Sequence, residues 1–178
     1  CLVGCEKLKE KAVRDFPVGS PNDAPTAGAK AASKDFIITP GKVLPQYFMR
    51  GQWRAYSASR NPGPTRWNSR AVVPIVDDSW KEGDPSPLWA SGVWLNYLKS
   101  EWDDRRSLRE AQEKAWVESL RAALAKGPVR GVVCQIVDQK KGEGSAEHKA
   151  IAKAEKEFGI KSHPQAPVIS WDPDKQSK

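Results

Sequence analysis

From Lys34 onward, apolar positions fall into blocks of strand and helix length; before it they follow no sustained period. Asp35–Thr39 (DFIIT) and Gly51–Ser59 (GQWRAYSAS) read as strands, the second by rough alternation of apolar and polar positions. The segment between them, GKVLPQYFMR, has no clear period, and Asn61-Pro62-Gly63-Pro64 is a loop. Arg70 and Asp77 enclose the apolar run AVVPIV, and Gly131–Val137 (GVVCQIV) is a second such run. Near-continuous apolar runs predict strands covered on both faces. Pro74 argues against a hydrogen-bonded central place for the first, or else marks a bulge. Pro167–Trp171 (PVISW) predicts a last strand.

Three helices are expected. Ser86 reads as an N-cap with Pro87 at the first helical position, and the helix runs to about Trp102. Leu88, Leu95, Leu98 and Trp102 share one face of it, which Trp94 and Tyr97 widen. A second helix opens at the capping box Ser107-x-x-Glu110 and carries Leu108, Ala111, Ala115, Leu120 and Leu124 at helical spacing. Gly127-Pro128 closes it. A third starts at Ser145, carries Ala150, Ile151, Ala154 and Phe158, and ends at Gly159. Strand, two helices, strand, helix, strand makes two crossover connections, which favour parallel strands side by side. The expected fold is an α/β layered sheet with at least three parallel strands, an antiparallel edge and about three helices.

Length and composition set the domain plan. The 178 residues suit one domain, expected over 34–172 with a polar tail at 173–178. The longest apolar runs are too short to span a bilayer, so the folded part is expected to be soluble. Residues 6–33 open with alternating charges and continue as PVGSPNDAPTAGAKAAS. Such a stretch buries too little apolar surface to offset its ordering entropy, so 1–33 is expected to be a tether. As a coil it would span about 30 Å r.m.s..

Leu2-Val3-Gly4-Cys5, followed by Glu6 and a polar stretch, resembles a bacterial lipobox. The resemblance covers this tetrapeptide and implies that Cys5 is acylated and holds the chain on a membrane. A variant makes Cys1 the lipidated N-terminus and leaves Cys5 spare. A chance tetrapeptide, or a Cys5–Cys134 disulfide, is the competing account.

Three features could carry function. The first is charge. Phe36–Val76 contains no acidic residue but holds Lys42, Arg50, Arg54, Arg60, Arg66 and Arg70, interleaved with Tyr47, Phe48, Trp53, Tyr56 and Trp67. Asp77–Asp104 is then acid-rich, and the net charge is +7. A basic, aromatic-laced segment suits an acidic protein, an anionic envelope polymer or headgroups, or the phosphates and bases of nucleic acid. It equally suits neutralisation by the acidic segment, with arginine stems covering apolar surface. An envelope location would make nucleic acid the least favoured partner.

The second is that the three strands expected to be parallel each end in aspartate: Asp77 and Asp78, Asp138, and Asp172. In parallel α/β sheets ligands bind beyond the strands' carboxyl ends, where converging carboxylates could hold Mg²⁺. Turn capping by aspartate is the plainer account. The third is tryptophan, eight in this length. Trp94, Trp102 and Trp116 fall on expected helix faces and read as core. Trp67, Trp80 and Trp89 lie in or beside expected loops and are candidates for an exposed surface.

Familiar enzyme motifs are missing: no G-x-S-x-G, P-loop, G-x-G-x-x-G, H-E-x-x-H or C-x-x-C occurs. His148 and His163 read as solvated surface residues, and Cys134 as an inert small hydrophobe within a buried strand. The sequence thus favours a lipid-anchored binding or assembly component of a bacterial cell envelope. Its candidate surface is Arg50, Trp53, Arg54, Arg60, Arg66, Trp67, Arg70, Trp80 and Trp89. A membrane anchor and a protein or acidic-polymer partner go with it. The competing readings are a divalent-metal hydrolase or phosphoryl-transfer enzyme, and a cytoplasmic nucleic-acid binder.

Overall fold

The computed structural model describes residues 19–28, 35–38, 41–55, 60–61, 63–138 and 145–175. The lipobox, most of the expected tether and Tyr56 lie outside the described residues.

Among the described residues nine strands and three helices occur, the strands in the order β1 (Asp35–Ile38), β2 (Lys42–Val43), β3 (Met49–Arg54), β4 (Arg66–Val76), β5 (Pro85–Ser86), β6 (Leu88–Leu98), β7 (Val129–Ile136), β8 (Lys161–Ser162) and β9 (Pro167–Ser170). Helix α1 (Ala24–Gly28) precedes β1, α2 (Arg106–Lys126) joins β6 to β7, and α3 (Ala146–Phe158) precedes β8. Seven strands form one sheet in the order β1-β7-β9-β6-β4-β2, with β3 also paired to β4; β5 and β8 form a small parallel pair. The α/β class and all five expected strands are present. The parallel arrangement is narrower than expected: β9 is parallel to β6 but antiparallel to β7, and β4 is antiparallel to β6.

The expected first helix is instead β6. Its first half, Leu88–Gly92, is buried throughout, as a central strand is. Two hydrophobic layers flank the sheet. On one face α2 covers Ala71, Val73, Ile75, Leu88, Ala90 and Ile169; on the other α3 covers Met49, Val72, Trp89 and Val168. Pro74 sits inside a central strand after all. Its carbonyl accepts from Leu44 N–H at 3.1 Å, so its missing N–H faces the turn between β2 and β3, where no ladder bond is lost.

The two later helices start differently. Ser145 caps α3, its hydroxyl accepting from His148 N–H at 3.0 Å, and Gly159 ends it in the left-handed conformation (φ 70°). The Ser107–Glu110 capping box does not form, since α2 begins at Arg106 with Arg105 as N-cap and no side-chain cap. Its buried face also differs from the expected stripe. Arg109, Glu113, Trp116, Val117, Leu120 and Leu124 point in, while Leu108, Ala111 and Ala115 are exposed. Residues 19–28, expected to be tether, are docked. Gly19 bridges Ile38, Ala24 is fully buried in the core, and Asn22 hydrogen-bonds Ser79 at 3.2 Å.

Candidate binding surface

The sheet outruns its covering. Beyond Ser69 the strands β3, β4 and β6 continue together as Gln52–Arg54, Arg66–Asn68 and Leu95–Leu98, while β9 ends at Ser170. The register puts Trp53, Asn68 and Asn96 in one row across these strands, pointing to the α3 side of the sheet. Arg66 and Asn96 are exposed. Side chains link the row: Arg66 Nε donates to Asn96 Oδ1, and Asn96 Nδ2 donates to Asn68 Oδ1 at 2.5 Å.

A bulge turns Trp94 onto this face. Between the pairs Ser69↔Leu95 and Ala71↔Gly92, β6 carries one residue more than β4, and Val93 takes φ 54°. Trp94 is 65% exposed, and the Arg70 guanidinium lies 5.6 Å from its ring centroid. The open end of the sheet therefore presents Trp53, Trp94, Arg66, Asn68 and Asn96.

The arginines divide into two groups. Arg50 and Arg70 are structural. Arg50 donates twice to Glu113, with Nε to Oε2 at 2.7 Å, and Arg70 pairs with Glu147, which also accepts from Ser91 Oγ at 3.2 Å. Both glutamates are buried and come from α2 and α3, not from the acidic segment Asp77–Asp104. Arg54, Arg60 and Arg66 are exposed, and among the described residues none forms an ion pair. The basic surface is therefore smaller than the sequence suggests, but the acidic segment does not neutralise it.

The tryptophans also redistribute. Trp89 is fully buried, its Nε1 donating to Ser162 Oγ at 3.0 Å, so it is core and not surface. Trp80 is half-buried in an aromatic group with Tyr47, whose ring lies 6.2 Å away, and its Nε1 donates to Asp84 O. Trp53 and Trp67 are half-buried. Trp94, read from sequence as core, is the exposed one, because its segment is strand and not helix.

The carboxylates expected to hold a metal do not meet. Strand directions put Asp77, Asp78 and Asp138 at one end of the sheet and Asp172 at the other. β4 and β7 are three strand intervals apart, about 14 Å along the sheet, far beyond shared ligation of one ion. Asp77 instead accepts from Ser79 N and Oγ, and Asp172 accepts from Asp174 N, the turn-capping role of aspartate. Among the described residues no group of three or more His, Cys, Asp or Glu could hold a metal ion. The arrangement offers no support for the Mg²⁺ reading.

Neither histidine joins a catalytic pair; His163 Nδ1 accepts from Gln165 N at 3.0 Å and closes a turn. Cys134 is a free thiol on an exposed position of β7, not within a doubly covered strand. Its Sγ turns in to donate to Val168 O at 3.1 Å, and burial of the sulfur pushes the thiol up to about 11, so it stays protonated and inert. Sequence reading missed the charged group inside α2. Arg109 is buried with its guanidinium 3.9 Å from the Trp102 ring, and burial, then the like charge of Arg50, lowers its pKa. The spacing Arg109, Glu113, Trp116, Leu120 is itself helical, and is the signal in the sequence that marks this face.

No family model, curated protein or solved structure matches this chain.

Proposed function

We propose that this chain is a lipid-anchored component of a bacterial cell envelope that binds a partner protein through the open end of its sheet. The observation that carries the binding role is Trp94, 65% exposed on the same uncovered face of the sheet as Arg66, which is exposed and forms no ion pair among the described residues. Exposed tryptophan with arginine is the composition of interface hot spots. The net charge of +7 and the absence of acidic residues from Phe36 to Val76 favour an acidic partner. The separation of the four aspartates argues against metal-dependent hydrolysis as the role.

The anchor rests on Leu2-Val3-Gly4-Cys5. Acylation at that cysteine is the proposed attachment. Metabolic labelling with an acyl probe tests it: the native chain takes up label, and Cys5→Ala loses it or moves it to Cys1. An unlabelled native chain overturns the anchor. Pull-down from the native membrane tests the surface: the doubly substituted Arg66→Ala, Trp94→Ala chain loses the partner. Capture that is equal for both chains overturns the surface; capture that survives protease but not polymer digestion replaces the protein partner with an acidic polymer.

A further inference from the structure

We infer that the far edge of β6, Val93–Leu98, accepts an extended segment of that partner, apolar on one side and acidic on the other, as an added strand. The inference rests on the binding reading above and specifies its mode. β9 pairs with β6 only at Trp89–Ser91, and the last bond on that side runs from Trp171 N–H to Ser91 O at 3.0 Å. Beyond it, among the described residues, no strand pairs with β6 on this side. Lys99 N–H points across to Thr65 O at 2.8 Å, so by alternation the backbone groups of Leu98 and Asn96 face the open lane.

The lane is a strand-shaped cleft and not merely an edge. A cavity of about 560 Å³ continues the line of β9, bounded by Trp94, Ser170, Asp172 and Pro173 and roofed by Ala115 and Ser119 of α2. The roof continues as the exposed apolar stripe of α2, Ala111 and Leu108, the latter 46% exposed. Past the Val93 bulge, Trp94-Leu-Asn-Tyr-Leu98 holds no charge and no proline, two of the devices by which natural edges repel an extra strand. Backbone bonds along the edge would supply affinity, and side-chain contacts on the two faces would supply selectivity.

Charge selects the occupant. The face of the lane opposite α2 carries Arg66, which forms no ion pair among the described residues, at its Leu98 end, while Arg70 at the Trp94 end is held by Glu147; acidic side chains therefore belong opposite Arg66 and apolar ones beneath α2. A second copy fits poorly: a two-fold antiparallel pairing of Val93–Leu98 brings together two segments with no acidic residue to meet Arg66, and both chains carry +7.

The test is a titration of the isotope-labelled full chain with a synthetic heptapeptide alternating glutamate and valine, followed by amide NMR. The expected result is shifts and slowed exchange at Trp94, Asn96 and Leu98, with a lysine–valine peptide binding more weakly. Asn96→Pro removes an outward N–H and weakens binding about tenfold, as loss of one backbone bond with its partner left unpaired would. Asn96→Ala keeps that N–H and loses only the side-chain hold on Arg66, so it weakens binding clearly less than Asn96→Pro does, and circular dichroism checks that both variants fold. The inference is overturned by no shift at millimolar peptide, by shifts centred elsewhere, by equal weakening in Asn96→Ala, or by a free chain that is already a dimer with these amides protected. Capture of the membrane partner that survives Asn96→Pro overturns the strand mode and leaves the binding reading standing. Absence of any capture by the native chain removes both.

Discussion

Single residues decide where this fold is tight and where it is free. A Cβ at Gly92 would stand 2.3 Å from the Trp116 ring, so β6 and α2 meet there without a side chain between them. Gly92→Ala is expected to destabilise by about 1–3 kcal/mol through overpacking, measured by chemical denaturation. Cys134 has its thiol pushed up to about 11, so its alkylation at pH 8 should be far slower than that of free cysteine and should climb steadily to pH 10. A fast reaction at pH 8 would contradict the inward-turned sulfur. Burial raises the Glu155 carboxyl, with Asp138 adding to it against a hydrogen bond from Ser162. The folded chain then holds that proton to higher pH than the unfolded chain, so this contribution to stability is lost as pH rises from the ordinary carboxylate range, about 4.3, through the raised value. Glu155→Gln should flatten the loss, giving a denaturation midpoint that gains on the native chain as pH rises above the ordinary carboxylate range. Trp89 and Trp94 show how far single residues were legible. Both were visible as tryptophans, but their burial depended on which strand half each occupies.

At the scale of elements, periodicity served well where an element is uniform and failed where it changes character. β4 and β7 stand near their expected positions, and α3 keeps its expected cap and stop. β6 misled because its first half is buried throughout and its second half is half-exposed, with the Val93 bulge shifting the phase between them. Such a strand has no period of two, and its leucines at 88, 95 and 98 fall at helical intervals by coincidence. In α2 the apolar spacing does not show the inward stripe, because charges are rarely buried unless paired, and here Arg50 supplies the pairing for Glu113 from a distant strand. That pair fixes α2 to β3. Arg50→Met alone should cost about 3–5 kcal/mol by stranding the buried Glu113, and Arg50→Met with Glu113→Leu should recover much of it. Equilibrium unfolding of the two variants checks the asymmetry.

For the whole molecule, the sequence supplied the α/β class, the charge and the absence of familiar catalytic motifs. It could not supply the strand order, which depends on pairings between distant segments. That order is what separates the aspartates and opens a lane beyond β9. It also draws Ala24 into the core, so the expected tether is shortened from its C-terminal side. The proposed partner surface is the uncovered end of the sheet. Hydrogen exchange of the intact chain, with and without detergent-solubilised native membrane, tests this most directly. Protection is expected at Val93–Leu98 and in the strands beside it, at Gln52–Arg54 and Arg66–Asn68, and it should be absent in Asn96→Pro. Protection confined to the Trp80 and His163 side of the molecule, or unchanged exchange throughout, would contradict the account.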